Sequence, residues 1–309
     1  MSNSLMQLAV QKKPRNTAAG LEFIGPRRRL IAERCDVNPN KYGLEISPNW
    51  APLVLRGEAQ MVYCDRLSTA ELESREKENK GRIDLHAVVE EMDFIWKDGT
   101  SLPTYFSANE KFDFVVSSHV MEHVPNLLGF LQQQRQVCKD EGIISFVVPD
   151  VRLSGEYFRP LTTPAQLIEA YLLNRDKPSP GMVYEASYHI FDWPGLSNLK
   201  ARHVLETKRG YTTEQAMEFA RYAVNNYVDV HCWSFTHATM ADVLRELKES
   251  GCFDFDVVAI DQIAEEIVCT LRPSRPGSGG LEDESISREI RQLEARVAEL
   301  KSRMQGVMN

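Results

Sequence analysis

The chain has 309 residues, 43% hydrophobic and 26% charged, and its 44 acidic against 36 basic side chains leave a net charge of -8. This supports one main domain with appendages and excludes a general binder of nucleic acid or anionic membrane. Six cysteines form no C-x-x-C pair and read as reduced core thiols, and no run approaches the roughly 18 apolar residues of a membrane span, so a cytoplasmic protein is expected.

Residues 1 to 38 carry Arg27, Arg28, Arg29 and Arg34 and read as a solvated peripheral arm with a short helix, with a phosphate or partner contact as the alternative. From Gly43 to Asp150 the apolar runs GLEIS, MVYCD, MDFIWKD, FDFVVSS and GIISFVVPD alternate with less regular segments, the α/β pattern of a doubly wound sheet. Residues 112–116 and 143–148 lack clean alternation, which predicts strands covered on both faces, as in a parallel sheet. Between them Leu127, Phe130, Leu131, Val137 and Cys138 recur at helical spacing. Pro125 suits the first turn of that helix and Gly142 the position after its last. The result is a strand, helix, strand crossover.

Residues 151 to 230 break the rhythm with aromatic and Pro-rich stretches around the helical pieces TPAQLIEAYLL and TTEQAMEFARYAVNNY, and read as a cap inserted over the strand ends. Sheet architecture resumes with the helix THATMADVLRELKESG and the strands FDFDVVAI and EEIVCTLRP. The main domain therefore spans residues 39–275, and residues 276–309 hold a linker rich in Pro, Gly and Ser followed by a helix. In that helix Ile286, Ile290, Leu293, Val297, Leu300 and Met304 alternate steps of four and three. Branched residues at a and Leu at d favour a parallel coiled coil, hence a homodimer, with a helix lying on its own domain as the other outcome.

In open parallel sheets ligands sit beyond the carboxyl ends of the strands. The loop Ser47-Pro48-Asn49-Trp50 follows the first strand, and Asp65 ends the second, 20 residues after Glu45, a spacing at which a carboxylate reaches a ribose hydroxyl pair. The third strand runs into Asp98-Gly99-Thr100-Ser101-Leu102. Acidic groups at three successive strand ends suit a nucleoside ligand without phosphates.

With these residues in view, the chain resembles the class I S-adenosylmethionine-dependent methyltransferases. GLEISPNWAP looks like the first motif of that family, VYCD its second, WKDGTSLP its third, and residues 112–150 the segment around its fourth and fifth strands. VDVHCWSFT and EEIVCTLRP further resemble the branch found with bacterial surface-polysaccharide synthesis. The resemblance covers residues 40 to 273 and implies a mostly parallel, seven-stranded Rossmann-like sheet whose last strand is antiparallel. It also implies S-adenosylmethionine as cofactor. Glu45, Ser47 and Pro48 would lie near its methionine end, Asp65 at the ribose, Asp98 and Leu102 at the adenine, and Ser118 and His119 along the sulfonium and acceptor. The chain departs from the family in the first loop, where Ser47, Pro48 and Asn49 replace glycines that let backbone approach a ligand closely.

Methyl transfer to a hydroxyl needs alignment and one base. His119 is expected in that role by position, then His189 in the cap, with His123 and His231 as further candidates and Glu122 orienting His123 or capping the next helix. The run from His119 to His123 also matches the H-x-x-E-H pattern of inverted zinc peptidases. That pattern needs a continuous helix, which Pro125 argues against, and no metal is expected. A nicotinamide dehydrogenase would need G-x-G-x-x-G, which is absent. The expected activity is O-methylation of a sugar or glycan intermediate, since the N/D-P-P-Y signature of nitrogen-directed enzymes is missing. The alternative is a non-catalytic methyltransferase-like module that scaffolds other enzymes through its C-terminal coiled coil.

Overall fold

The computed structural model describes residues 4–78, 88–97, 99–191 and 208–274. The expected coiled coil therefore lies outside the described residues, as does Asp98. Seven strands, β1 (Tyr42–Ile46), β2 (Gln60–Asp65), β3 (Phe94–Ile95), β4 (Phe112–Ser118), β5 (Cys138–Pro149), β6 (Phe255–Ile263) and β7 (Glu266–Pro273), form one sheet in the order β3-β2-β1-β4-β5-β7-β6. The pairs from β3 through β5 are parallel, and β7 runs antiparallel to both of its neighbours, as the resemblance implies. Strand order reverses between β1 and β4, which makes their carboxyl ends the crevice of the sheet.

The absence of alternation in these strands has a direct cause. Leu44, Ile46, Val62, Cys64, Val115, Ile144 and Phe146 pack into one apolar layer, and Met61, Tyr63, Phe114, Val116 and Val147 into the layer on the other side. Helices α1 (Leu5–Ala9), α4 (Leu127–Val137), α5 (Pro164–Leu172) and α8 (His237–Glu249) contribute Ala9, Leu131, Leu167 and Leu244 to the first layer. Helices α2 (Gly25–Arg34) and α3 (Thr69–Glu78) contribute Ile31 and Leu72 to the second. A sheet covered on both faces must be apolar at every strand position. Between β5 and α8 lie α5, α6 (Pro180–Tyr188) and α7 (Thr213–Ala223), each opened by a Ser or Thr capping box, at Thr163, Ser179 and Thr212.

Three expectations need correction. Gly142 does not follow the helix; β5 already begins at Cys138, with a register shift against β4, so Gly142 sits inside the strand. An added Cβ there would meet Cys138 Sγ at 2.5 Å and Asp113 O at 2.9 Å, so the glycine serves close strand packing rather than a turn. The run MDFIWKD yields only the two-residue edge strand β3. The N-terminal arm is not a solvated appendage. Arg28 pairs with Glu58, Arg34 with Asp261 and Arg27 with Glu266, while Leu21, Ile24 and Ile31 are buried. All six cysteines are free, five of them buried, in keeping with the sequence reading.

Candidate functional site

The first loop leaves β1 through Ser47 at φ 56° and passes Asn49 at φ 47°, both left-handed. Such a conformation costs Ser47 about 1–2 kcal/mol, while Asn49 tolerates it, so the loop follows a path suited to glycine without glycine. What fixes the path is Glu45, whose side chain is buried and accepts from Leu53 N at 2.7 Å and Val54 N at 3.2 Å. Burial pushes its carboxyl up to about 8 despite these two bonds. Glu45 thus shapes the loop that follows β1, through both of its carboxylate oxygens. Pro48 is buried and accepts from Ala51 N, which closes the turn, while Trp50 stacks on Phe23 with ring centroids 5.6 Å apart.

Asp65 lies at the carboxyl end of β2, only 8% exposed, with Oδ1 accepting from Leu67 N at 3.0 Å. Leu102 is fully buried and its backbone N–H already donates to Gln133 Oε1 at 2.8 Å, so it supplies a wall rather than a donor. Around the switch point the buried atoms Asn49 Oδ1 and Ser117 Oγ have no hydrogen-bond partner among the described residues. Unpartnered buried oxygen beside a buried carboxylate fits the hydroxyl and amine groups of a nucleoside-like ligand.

At the end of β4, Ser118 Oγ accepts from Arg27 Nη1 at 2.6 Å, and His119 turns the chain at φ 55°. His119 Nε2 meets Glu266 Oε1 at 2.7 Å, and its Nδ1 stands 3.2 Å from Glu122 Oε1. Burial works against the charged ring, but the two carboxylates outweigh it and raise the pKa to about 9. A pKa raised this far favours the imidazolium at neutral pH, in which both ring nitrogens donate. His189, the residue after α6, is the opposite case. Desolvation lowers its pKa, Glu185 raises it and Arg209 and Arg159 lower it further, so the ring is neutral and able to accept a proton.

A second polar group follows the short 3-10 turn Met121–His123. Cys232 N and Trp233 N both donate to Glu122 O, at 2.5 and 3.3 Å, and Trp233 Nε1 donates to Val124 O, so VDVHCWS is stitched against the turn. This sets His231 edge-on to His123, with ring centroids 4.6 Å apart. His123 Nδ1 bonds Asp229 Oδ1 at 2.9 Å and His231 Nδ1 bonds Glu156 Oε2 at 2.5 Å. Glu156 also accepts from Arg159 at 2.7 Å, and although its burial works the other way, these partners hold its carboxyl below the usual range. Desolvation pushes the adjoining Cys232 thiol up to about 12, so it is not a nucleophile. Arg27, Glu156, Asp229 and Glu266 were not anticipated from the sequence; each reaches its partner across 75 residues or more.

A family model described as a methyltransferase domain matches residues 37–248. No curated protein matches the chain. Among solved structures, the CurJ carbon methyltransferase aligns at 10% identity and a TM-score of 0.37 over 77% of this chain, which spans half the length of that protein. A DhpI–SAH complex aligns at 14% identity and 0.36, over 89% of this chain and 100% of that one. An S-adenosylmethionine-dependent methyltransferase from Clostridium acetobutylicum aligns at 8% and 0.40, over 84% and 94%. Similarity this distant transfers neither substrate nor residue roles.

Proposed function

Because the chain belongs to the methyltransferase-domain family, we propose that it transfers a methyl group from S-adenosylmethionine, its cofactor, to an oxygen of a sugar or glycan intermediate. The observation that carries this reading is the buried Asp65 at the carboxyl end of β2, beside a switch point whose other polar atoms, Asn49 Oδ1 and Ser117 Oγ, lack partners. A sulfonium methyl is already electrophilic, so the bound cofactor supplies activation and the protein is left with alignment and proton removal.

Asp65 accepts from the ribose hydroxyls, and Leu102 walls the adenine. Ser118, held by Arg27, and the His119 imidazolium line the acceptor side. The proton of the acceptor hydroxyl goes to the neutral His189 of the inserted helices, which form a cap over the strand ends. The C-terminal heptads pair two chains. Oxygen is favoured over nitrogen because β4 ends in SSHV rather than in an N/D-P-P-Y sequence.

Calorimetric titration with S-adenosylhomocysteine, followed by assay of labelled methyl transfer to free and nucleotide-linked sugars, tests the proposal. Saturable binding that Asp65→Ala weakens by about 1–3 kcal/mol supports it. Absence of both heat and thermal shift would instead favour the non-catalytic scaffold, and transfer to amines alone would remove the oxygen acceptor.

A further inference from the structure

Glu122 is an unusual carboxylate. Its side chain is 1% exposed, and among the described residues neither oxygen accepts a hydrogen bond; Oε1 faces the His119 ring at 3.2 Å, and Oε2 faces no donor. A buried carboxylate costs several kcal/mol unless cations or donors meet both of its oxygens, and the single imidazolium on Oε1 leaves Oε2 unmet. Beside it stand His123 and His231, and one ligand atom from each of the three residues lies within 4.8 Å of the other two.

The two imidazoles are prepared in the same way. Each commits Nδ1 to an outer carboxylate, Asp229 for His123 and Glu156 for His231, and so keeps Nε2 as its remaining nitrogen. Such carboxylate–histidine pairs fix ring orientation and raise the donor strength of the other nitrogen, which is how metal-binding histidines are held. The rings meet edge-on, with centroids 4.6 Å apart. We propose that Glu122, His123 and His231 bind a first-row divalent cation, of the zinc, manganese, iron or cobalt class. Two nitrogens and one carboxylate oxygen select such an ion over calcium or magnesium, which prefer oxygen.

This is not the zinc-peptidase geometry that the H-x-x-E-H pattern suggests. The motif forms a 3-10 turn, its first histidine is taken by Glu266, and the third ligand comes from a segment 109 residues further on, to which the turn is stitched by Cys232 Sγ→His123 O and Trp233 Nε1→Val124 O. Three protein donors leave coordination positions open. An acceptor oxygen would fill one of them and lose its proton more readily there, a role that rests on the methyl-transfer reading above, whereas the binding of the ion does not.

The test uses the full chain, free of any affinity tag and stripped with a chelator, titrated calorimetrically with zinc, manganese and cobalt chlorides, with the visible bands of bound cobalt as a second readout. About one equivalent per chain is expected. Glu122→Gln and His231→Ala should each weaken binding at least tenfold while circular dichroism stays unchanged. Asp229→Asn, which leaves all three ligands in place, should weaken it about 10- to 100-fold. No saturable binding, or an affinity that both ligand variants leave unchanged, overturns the site. Parallel titration with S-adenosylhomocysteine keeps the two readings apart. Cofactor binding without cation binding sinks the metal site alone, and cation binding without cofactor binding sustains it while the methyltransferase reading falls.

Discussion

Glu45 ties stability to pH, because burial raises its carboxyl from 4.5 to about 8. Its folded-state pKa lies above its unfolded one, so folding favours the protonated form. That contribution is complete below about pH 4.5 and is lost as pH rises to about 8, on the order of a few kcal/mol in all. Glu45→Gln, which keeps the shape of the side chain without its charge, is expected to flatten this decline in urea denaturation midpoints measured across the same range; an unaltered slope would assign the pH dependence elsewhere. His189 carries the corresponding prediction for turnover. His189→Ala should lower kcat by about 10²- to 10⁴-fold while leaving S-adenosylhomocysteine affinity as it was, and a loss confined to KM would remove it as the base. What was legible at this scale was whatever a short spacing encodes. Asp65 falls at a fixed interval after Glu45 and ends a strand, as expected. His119 falls just past the end of β4, as expected, but its carboxylate partner Glu266, which raises its pKa, is 147 residues away and was not legible. His123 and Asp229 are likewise separated by 106 residues and His231 and Glu156 by 75, distances at which only the fold brings side chains together.

Elements were more legible than contacts, for a physical reason. A strand covered on both faces is apolar throughout, so β1, β2, β4, β5 and β7 announce themselves as runs, whereas the edge strand β3 pairs through only two residues and cannot be sized from composition. Glycine is ambiguous because it marks either a turn or a close approach. Gly142 proved to be the second kind, and Gly43 in β1 is another: a Cβ there would press into the Phe114 ring and lie 2.6 Å from Met61 Sδ, in a layer that has no room to relax. Gly43→Ala should therefore destabilise the fold by about 1–3 kcal/mol, although alanine is otherwise the better strand residue. Urea unfolding followed by tryptophan fluorescence reads this directly, and a variant as stable as the parent would show that β1 and β4 can separate at that point. The structure adds capping boxes at the starts of α5, α7 and α8, on TPAQ, TTEQ and THAT, each a threonine followed three residues later by its partner.

At the scale of the whole molecule, residues Met1–Pro273 form one unit and Ser274–Asn309 a second, and the division falls where the sequence turns to Pro, Gly and Ser. All seven strands and both polar groups at the crevice belong to the first unit, and β7 ends on its last residue, Pro273. Cofactor binding should then be independent of the tail, while association of two chains should depend on it, since a heptad seam leaves its a and d residues in water until a partner covers them. A chain ending at Pro273 is expected to keep the melting temperature and S-adenosylhomocysteine affinity of the full chain. In light scattering it should run as a monomer where the full chain runs as a dimer. The same break in both proteins from dimer to monomer on dilution would place the contact within residues 1–273. A truncated chain that melts earlier would mean that the tail packs on its own domain, because an amphipathic helix that buries its apolar stripe within one chain stabilises that chain and has nothing left to offer a second.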